Sequence, residues 1–429
     1  MAIGKTEASR GPTSLQEEAR LSGEFADWHN LVLGAAWLTG DLDIGVVRDA
    51  WWRVCLRHDA LRRAYVAEDE ARTFADALSE VEFHTAATDA EAIELMRGIL
   101  GVPFDLSGMG LSRIAIVRTG ERRHLLGIAL DHIITDELSW RVMINDFADF
   151  YRRGLEGEAS AVADASTYQG FASLQRREIA GAWGEKRRVF WRSYVAEFGT
   201  FPPDLSARGR SGGTPSRMVL DHSLPMEVNA RVVDLARRAR VTPYAVIASS
   251  LLTAMREVTD DPNVGLVTDG FGRILPGTSQ AVGLFVETVP LHLTRRMTDP
   301  LETVREVFFR SLDVFEYGLP PLVAGRLWGQ NLVTPGVKPG VHLYLYDGRG
   351  QPKMKALAGT SAEFVRLEVP GGAQRWMDTI IVNCHLEEEN PRFVATYNES
   401  AFPGDVVQQL LQVAVKSVSS EVNRWFTLR

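Results

Sequence analysis

Residues 124–140 read HLLGIALDHIITDELSW. The first eight, HLLGIALD, are apolar on consecutive positions, the pattern of a strand whose sheet is covered on both faces. After a short loop, Trp140, Met143, Ile144, Phe147, Phe150 and Tyr151 fall at i, i+3, i+4, i+7, i+10 and i+11. That spacing is one apolar face of an α-helix. A buried strand feeding a helix predicts an α/β fold. In such folds ligands bind beyond the carboxyl ends of the strands. His132 stands at that end with Asp131 and Asp136 nearby. An imidazole there has the chemistry of a general base near neutral pH. Taken by itself, the pattern also suits a histidine with no role beyond structure.

Outward from this stretch, LSRIAIVR (111–118) pairs with HLLGIALD as a second strand across a short polar turn. Upstream, the pattern predicts a helix from Val46 to Leu61. Downstream, residues 155–185 are rich in Ala, Gly, Glu and Ser, and a helix containing FWRSYVAEF (190–198) follows. TFPPDLSARGRSGGTPSR (200–217) holds three Pro and three Gly and reads as a linker. In the second half, Val232, Leu235, Ala236 and Ala239 form a helical stripe. Thr242-Pro243 reads as an N-cap with Pro in the first turn, opening a buried helix over Tyr244–Arg256. Strands are expected at 264–268, 284–293, 341–346, 377–386 and 392–397, with a turn at Glu388–Pro391 and a last amphipathic helix from Pro403 to Val418.

The chain has 429 residues, 45% of them hydrophobic, which is more than one compact domain usually holds. A net charge of −8 argues against a non-specific nucleic-acid binder. Cys55 and Cys384 offer neither a zinc spacing nor a disulfide framework. The start has no signal-like apolar core, and the apolar runs are too short for a bilayer, so a cytoplasmic protein is expected. No phosphate-binding, dinucleotide or metal motif occurs, so the chain itself is expected to bind no cofactor. The pairs Arg122-Arg123, Lys186-Arg187-Arg188 and Arg237-Arg238 read as solvated faces. His58 and the tryptophans Trp51, Trp52, Trp183, Trp191 and Trp376 read as packing residues.

Asp131-His132-Ile133-Ile134-Thr135-Asp136-Glu137 resembles the His-His-x-x-x-Asp-Gly motif of non-ribosomal peptide condensation domains, within the chloramphenicol acetyltransferase-like superfamily. Other stretches resemble the same family in the same order. They are Gly11–Gln16, Arg57–Arg62 (RHDALR), Phe190–Arg192, Val241–Tyr244, Gly272-Arg273 and Val282–Leu291 (VGLFVETVPL). The resemblance covers residues 11–420 or so. It implies an α/β fold of two acetyltransferase-like lobes in a V, with an active-site tunnel between them. The expected layout is a disordered 1–11, an N-terminal lobe over 12–185 and a C-terminal lobe over 186–429.

The resemblance also implies roles. His132 matches the catalytic histidine. Asp136 and Arg273 match a structural ion pair expected to join the lobes. Asp131, Glu137 and Glu287 replace the family's first histidine, glycine and asparagine, and with Ser139 they are expected along the substrate tunnel. Leu138–Arg141 is similar to the epimerisation branch, which normally keeps the residues replaced here. The implied reaction joins an acyl thioester, carried on the phosphopantetheine arm of a separate carrier protein, to an amine or alcohol. Two other readings stay open: a domain that binds a carrier protein to recruit another enzyme, and an acyltransferase using a soluble thioester. No nucleic-acid or membrane partner is implied.

Overall fold

A computed structural model of the chain describes residues 8–21, 31–76, 80–158, 167–198, 217–293, 299–319, 323, 325, 340–346, 354–367, 379–386 and 390–427. The chain forms two compact units, neither of them contiguous. The first holds Met1–Ala182, Arg273–Val286 and Pro352–Gly372; the second holds Trp183–Gly272, Glu287–Gln351 and Ala373–Arg429. The first crossing between the units falls between Ala182 and Trp183. The two later returns to the first unit had no counterpart in the sequence reading.

The first unit contains β1 (Ala8–Pro12), α1 (Leu15–Leu21), β2 (Leu31–Gly40), α2 (Ile44–Arg57), β3 (Arg63–Ala67), β4 (Glu70–Phe74) and β5 (Val81–Thr85). These are followed by α3 (Asp89–Leu100), β6 (Ser112–Gly120), β7 (Arg123–Asp131), α4 (Glu137–Leu155) and α5 (Tyr168–Ala180), and later by β12 (Thr360–Val365). β12, β2, β7, β6 and β5 form one sheet in that order, and β1, β4 and β3 form a small second one. β7 is central, and its consecutive apolar residues are buried on both faces, as the sequence predicts. On one face Met96 and Leu100 of α3 pack against Leu125, Ala129 and Ala115. On the other lies α4, whose Trp140 ring comes so close to Gly34 of β2 that a Cβ there would sit 2.3 Å from the indole. The expected stripe of α4 is buried from Trp140 to Tyr151.

The second unit contains α6 (Ala182–Phe198, its first residue in the other unit), β8 (Arg217–Ser223), α7 (Val228–Ala239), α8 (Pro243–Thr259), β9 (Val264–Gly270) and β10 (Glu287–Leu293). It continues with α9 (Pro300–Glu316), β11 (Gly340–Tyr346), β13 (Thr379–His385), β14 (Arg392–Asn398) and α10 (Gly404–Thr427). Its sheet runs β10-β9-β11-β13-β14-β8. β9, β11 and β13 are parallel neighbours, and the outer pairings are antiparallel. α8 is buried along nearly its whole length and packs on α7, α9, α10 and β9. Its start is the predicted one: the Thr242 side chain accepts from the Ala245 N–H, and Pro243 opens the first turn.

Several local differences have physical causes. Residues 8–11, expected to be disordered, lie in β1, whose backbone pairs with β4 from Ala8 opposite Phe74 to Pro12 opposite Glu70. The helix expected to run to Leu61 ends at Arg57, where His58 turns extended and a 3₁₀ turn follows. Asp59 is thereby freed to accept from the N–H groups of Tyr168 and Gln169 at 2.7 and 2.9 Å, capping α5, an element the Ala- and Gly-rich composition concealed. The strand expected from 284 starts at Glu287, because the backbone before it bonds to side chains of the first unit instead of a ladder. Arg217, expected to close the linker, opens β8, and α10 runs past Val418 to Thr427. Residues 199–216, Trp376 and the turn residues 387–389 lie outside the described residues.

Candidate active site

β7 ends at Asp131, and His132–Ile134 form a 3₁₀ turn before α4. The Asp131 carboxylate accepts from the Ile133 N–H at 2.9 Å and so closes this turn. Ile133 and Ile134 are fully buried and anchor it, while His132 between strand and anchor is partly exposed. Among the described residues, the His132 imidazole has no hydrogen-bond or ion-pair partner. Asp131 is itself buried, at 3% exposed. Its charge also acts on Arg20 of α1, whose guanidinium burial holds below the ordinary range.

Asp136 is the N-cap of α4 and accepts from the Ser139 N–H at 2.7 Å. Its second oxygen accepts from the Phe285 N–H at 3.0 Å, and Arg273 donates to the first at 3.1 Å. The ion pair is thus formed. Both partners belong to the first unit, because Arg273 opens the segment that returns to it. The guanidinium further donates to Ser139 Oγ at 2.6 Å and to the carbonyls of Thr278 and Ala281, and it lies 3.9 Å over the Phe285 ring. Ser139, expected along a tunnel, is fully buried; its hydroxyl donates to the Gly283 carbonyl at 2.6 Å and accepts from the Gly283 N–H at 3.1 Å.

The segment Gly283–Phe285 is therefore held by side chains distant in sequence. Besides Ser139 and Asp136, Tyr168 donates to the Leu284 carbonyl and Gln16 to the Phe285 carbonyl. Gly283 has φ +159, and a Cβ on it would lie 1.9 Å from the Tyr168 ring, so only glycine fits. Behind the turn lies a second buried knot that sequence reasoning missed. Arg63 and Glu17 pair at 2.9 and 3.0 Å with both side chains fully buried, and the Tyr65 hydroxyl donates to Glu17 at 2.6 Å. Ser14 Oγ bonds the Tyr168 hydroxyl at 2.8 Å. The signal available was an acidic residue in one short element and a basic one in another, which also describes ordinary exposed faces.

Glu137, the first residue of α4, is exposed. Glu287 begins β10 in the second unit; burial pushes its carboxyl up to about 7, with the Arg187 charge pulling it back. His58 is buried, as expected of a packing residue, and bonds Asp146 at 2.8 Å. The two cysteines are buried and free, and burial pushes the Cys55 thiol up to about 12, which removes it as a nucleophile near neutral pH. Among the described residues, no group of three or more His, Cys, Asp or Glu is placed to hold a metal ion, and no helix is long and apolar enough to cross a membrane.

The site thus sets a histidine at the end of a central strand, beside a capped helix and an Asp–Arg knot, in a mixed α/β fold. The condensation-domain family model matches residues 29–414, and the chain belongs to that family. Condensation domains catalyse amide-bond formation and work with phosphopantetheine-carrying carrier proteins. The phosphinothricin tripeptide synthetase PhsB of Streptomyces viridochromogenes is 28% identical over 271 residues, 58% of this chain. The chain spans only 22% of that protein's length. Two solved structures share the fold. The condensation domain of the monacolin K polyketide synthase MokA has a TM-score of 0.78 at 14% identity, covering 96% of this chain and 97% of that one. The X-domain from teicoplanin biosynthesis has a TM-score of 0.77 at 17% identity, covering 98% and 96%.

Proposed function

We propose that this chain acts as a condensation enzyme, joining an acyl or aminoacyl thioester on a carrier protein to an amine or hydroxyl nucleophile, with His132 as the base. The observation that carries this reading is the presentation of His132. Its turn is closed by Asp131, anchored by Ile133 and Ile134, and followed by a helix capped by Asp136, while the imidazole has no partner among the described residues. A fixed backbone with an unengaged ring is what proton transfer to a substrate requires.

In the proposed reaction the nucleophile's lone pair attacks the thioester carbonyl carbon. The new C–N or C–O bond forms as the proton passes to His132. The tetrahedral adduct then collapses, the C–S bond breaks, and the phosphopantetheine sulfur leaves with the proton returned from the imidazolium. Asp136 and Arg273 do not touch the reacting atoms in this scheme; they hold the start of α4.

A second reading, recruitment of another enzyme by a domain that binds a carrier protein without turnover, draws support from Glu137. It puts an exposed carboxylate where the family's motif has glycine. One assay separates the two: loaded carrier protein and candidate amines or alcohols are offered, and product is read by mass. His132→Ala is expected to lose about a hundred- to ten-thousand-fold in rate. Undiminished product from that variant rejects His132 as the base. Absence of product from the wild type with every loaded carrier, alongside measurable carrier binding, establishes the recruiter instead.

A further inference from the structure

The first unit holds a cavity of about 480 Å³ that the proposed reaction does not use. It lies near the start of β7, at the other end of that strand from Asp131. His124, the second residue of β7, lines it together with Arg118 of β6 and Tyr151 of α4. Arg118 is the cross-strand partner of His124. Leu42, Phe83 and Leu155 add apolar wall. All of these residues belong to the first unit.

The three polar groups are donors that lack acceptors. His124 is 4% exposed, and its Nδ1 is enclosed without a hydrogen-bond partner. Leaving such an atom unpaired is costly, and the exceptions in native proteins call for a cause. Burial first, and the Arg118 charge second, hold the imidazole below its ordinary range, so the ring is neutral near pH 7. A neutral imidazole carries one N–H. With no acceptor at Nδ1, that proton belongs on Nε2, which has no partner either among the described residues. The Tyr151 hydroxyl accepts from the Asp43 N–H at 3.0 Å, and its own proton has no acceptor among the described residues. Arg118 is exposed, lies 5.7 Å over the Phe83 ring and has no ion pair among the described residues.

The carboxylates lining the same cavity do not serve these donors. Asp43 accepts from the Val46 N–H at 3.0 Å, and Asp41 pairs with Arg122 at 3.1 Å. Glu121 is exposed and has no ion pair among the described residues.

We infer that this cavity binds an organic carboxylate with an apolar body. Arg118, His124 and Tyr151 take the carboxylate, and Leu42, Phe83 and Leu155 take the body. A carboxylate brings about four acceptor positions, and its charge answers that of Arg118. Leu155 is 47% exposed, so an apolar body has surface there to cover. The site is separate from His132 and stands whether or not the chain catalyses condensation.

The test is calorimetric titration of the full chain near pH 7.5, where carboxylates and alkylammonium groups are both charged. The probes are 4-phenylbutyrate, the matching alcohol and the matching amine. The wild type is expected to bind the carboxylate, with the alcohol at least about tenfold weaker and the amine weaker still. Arg118→Gln is expected to weaken the carboxylate at least about tenfold, and Tyr151→Phe by about fivefold. Glu121→Gln removes a like charge beside the site and should tighten binding. His132→Ala should leave the affinity unchanged.

Alcohol or amine bound as tightly as the carboxylate overturns the site, as does no binding of the carboxylate. So does an unchanged affinity in a folded Arg118→Gln chain, or weaker binding by Glu121→Gln. If Arg118→Gln does not fold, Tyr151→Phe replaces it, and an unchanged affinity there overturns the site. Binding lost in His132→Ala puts the carboxylate beside His132 and overturns the separate cavity.

Discussion

Asp136 and Glu287 are buried to nearly the same degree, at 6% and 4% exposed, yet their surroundings treat them differently. Asp136 receives an N–H from its own helix, an N–H from Phe285 and the Arg273 guanidinium. Glu287 starts a strand whose backbone is committed to the β9 ladder, and its carboxyl is pushed up to about 7 by burial, against the charge of Arg187. At Glu287 burial penalises the charged form and outweighs the pull of the Arg187 charge. At Asp136 a helix N-terminus and a looped backbone aim donors at the oxygens.

Removing the Asp136 carboxylate gives the largest effect. Asp136→Ala leaves the Arg273 guanidinium buried without its anion and uncaps α4, so it is expected to lose about 3–5 kcal/mol of stability by denaturant unfolding. An Asp136→Ala chain as stable as wild type, but specifically inactive, breaks the comparison and makes Asp136 a participant in the chemistry.

Glu287 is expected to show its effect through pH. Glu287 has its folded pKa raised to about 7, above the ordinary carboxylate value that holds in the unfolded chain. The folded state therefore binds the proton more tightly, and the wild type is expected to lose stability as pH rises from about 4.5 to 7. Glu287→Gln removes this dependence and should exceed wild type at pH 8 by about 3 kcal/mol, with the two converging near pH 4. Parallel stability curves for the two chains across this range show that Glu287 keeps its charge on folding.

Asp131 is the smallest case. It is buried like the other two; one oxygen accepts from the Ile133 N–H, and its charge acts on Arg20. Asp131→Asn keeps that oxygen, so stability should stay within about 1 kcal/mol and the pH–rate profile should hold its position. A pH optimum moved downwards shows that the carboxylate charge reaches the His132 imidazole and raises its basicity.

Much of this was legible in the residues. Consecutive apolar positions in HLLGIALD gave a strand covered on both faces, and the 3.6-residue spacing from Trp140 to Tyr151 gave the helix on one of them. Thr242-Pro243 gave a helix start to the residue. These readings succeed because each rests on a local period or a local cap. The family motif gave His132, and its order along the chain pointed to Arg273 as the partner of Asp136.

The reading of Ser139 as a tunnel residue shows the limit of that approach. Its hydroxyl is buried against Gly283, 144 residues away. Nothing in the spacing of Ser139 separates a hydroxyl facing substrate from one facing a distant carbonyl. Local pattern fixed the strands, the helices and the turn that presents His132, because hydrophobic periodicity and caps act within a few residues. The return of Arg273–Val286 to the first unit, the Glu17–Arg63 knot and the contrast between Asp136 and Glu287 were decided by tertiary structure alone. Donors for a buried charge come from whichever backbone the fold brings within about 3 Å, and the sequence carries no period for that.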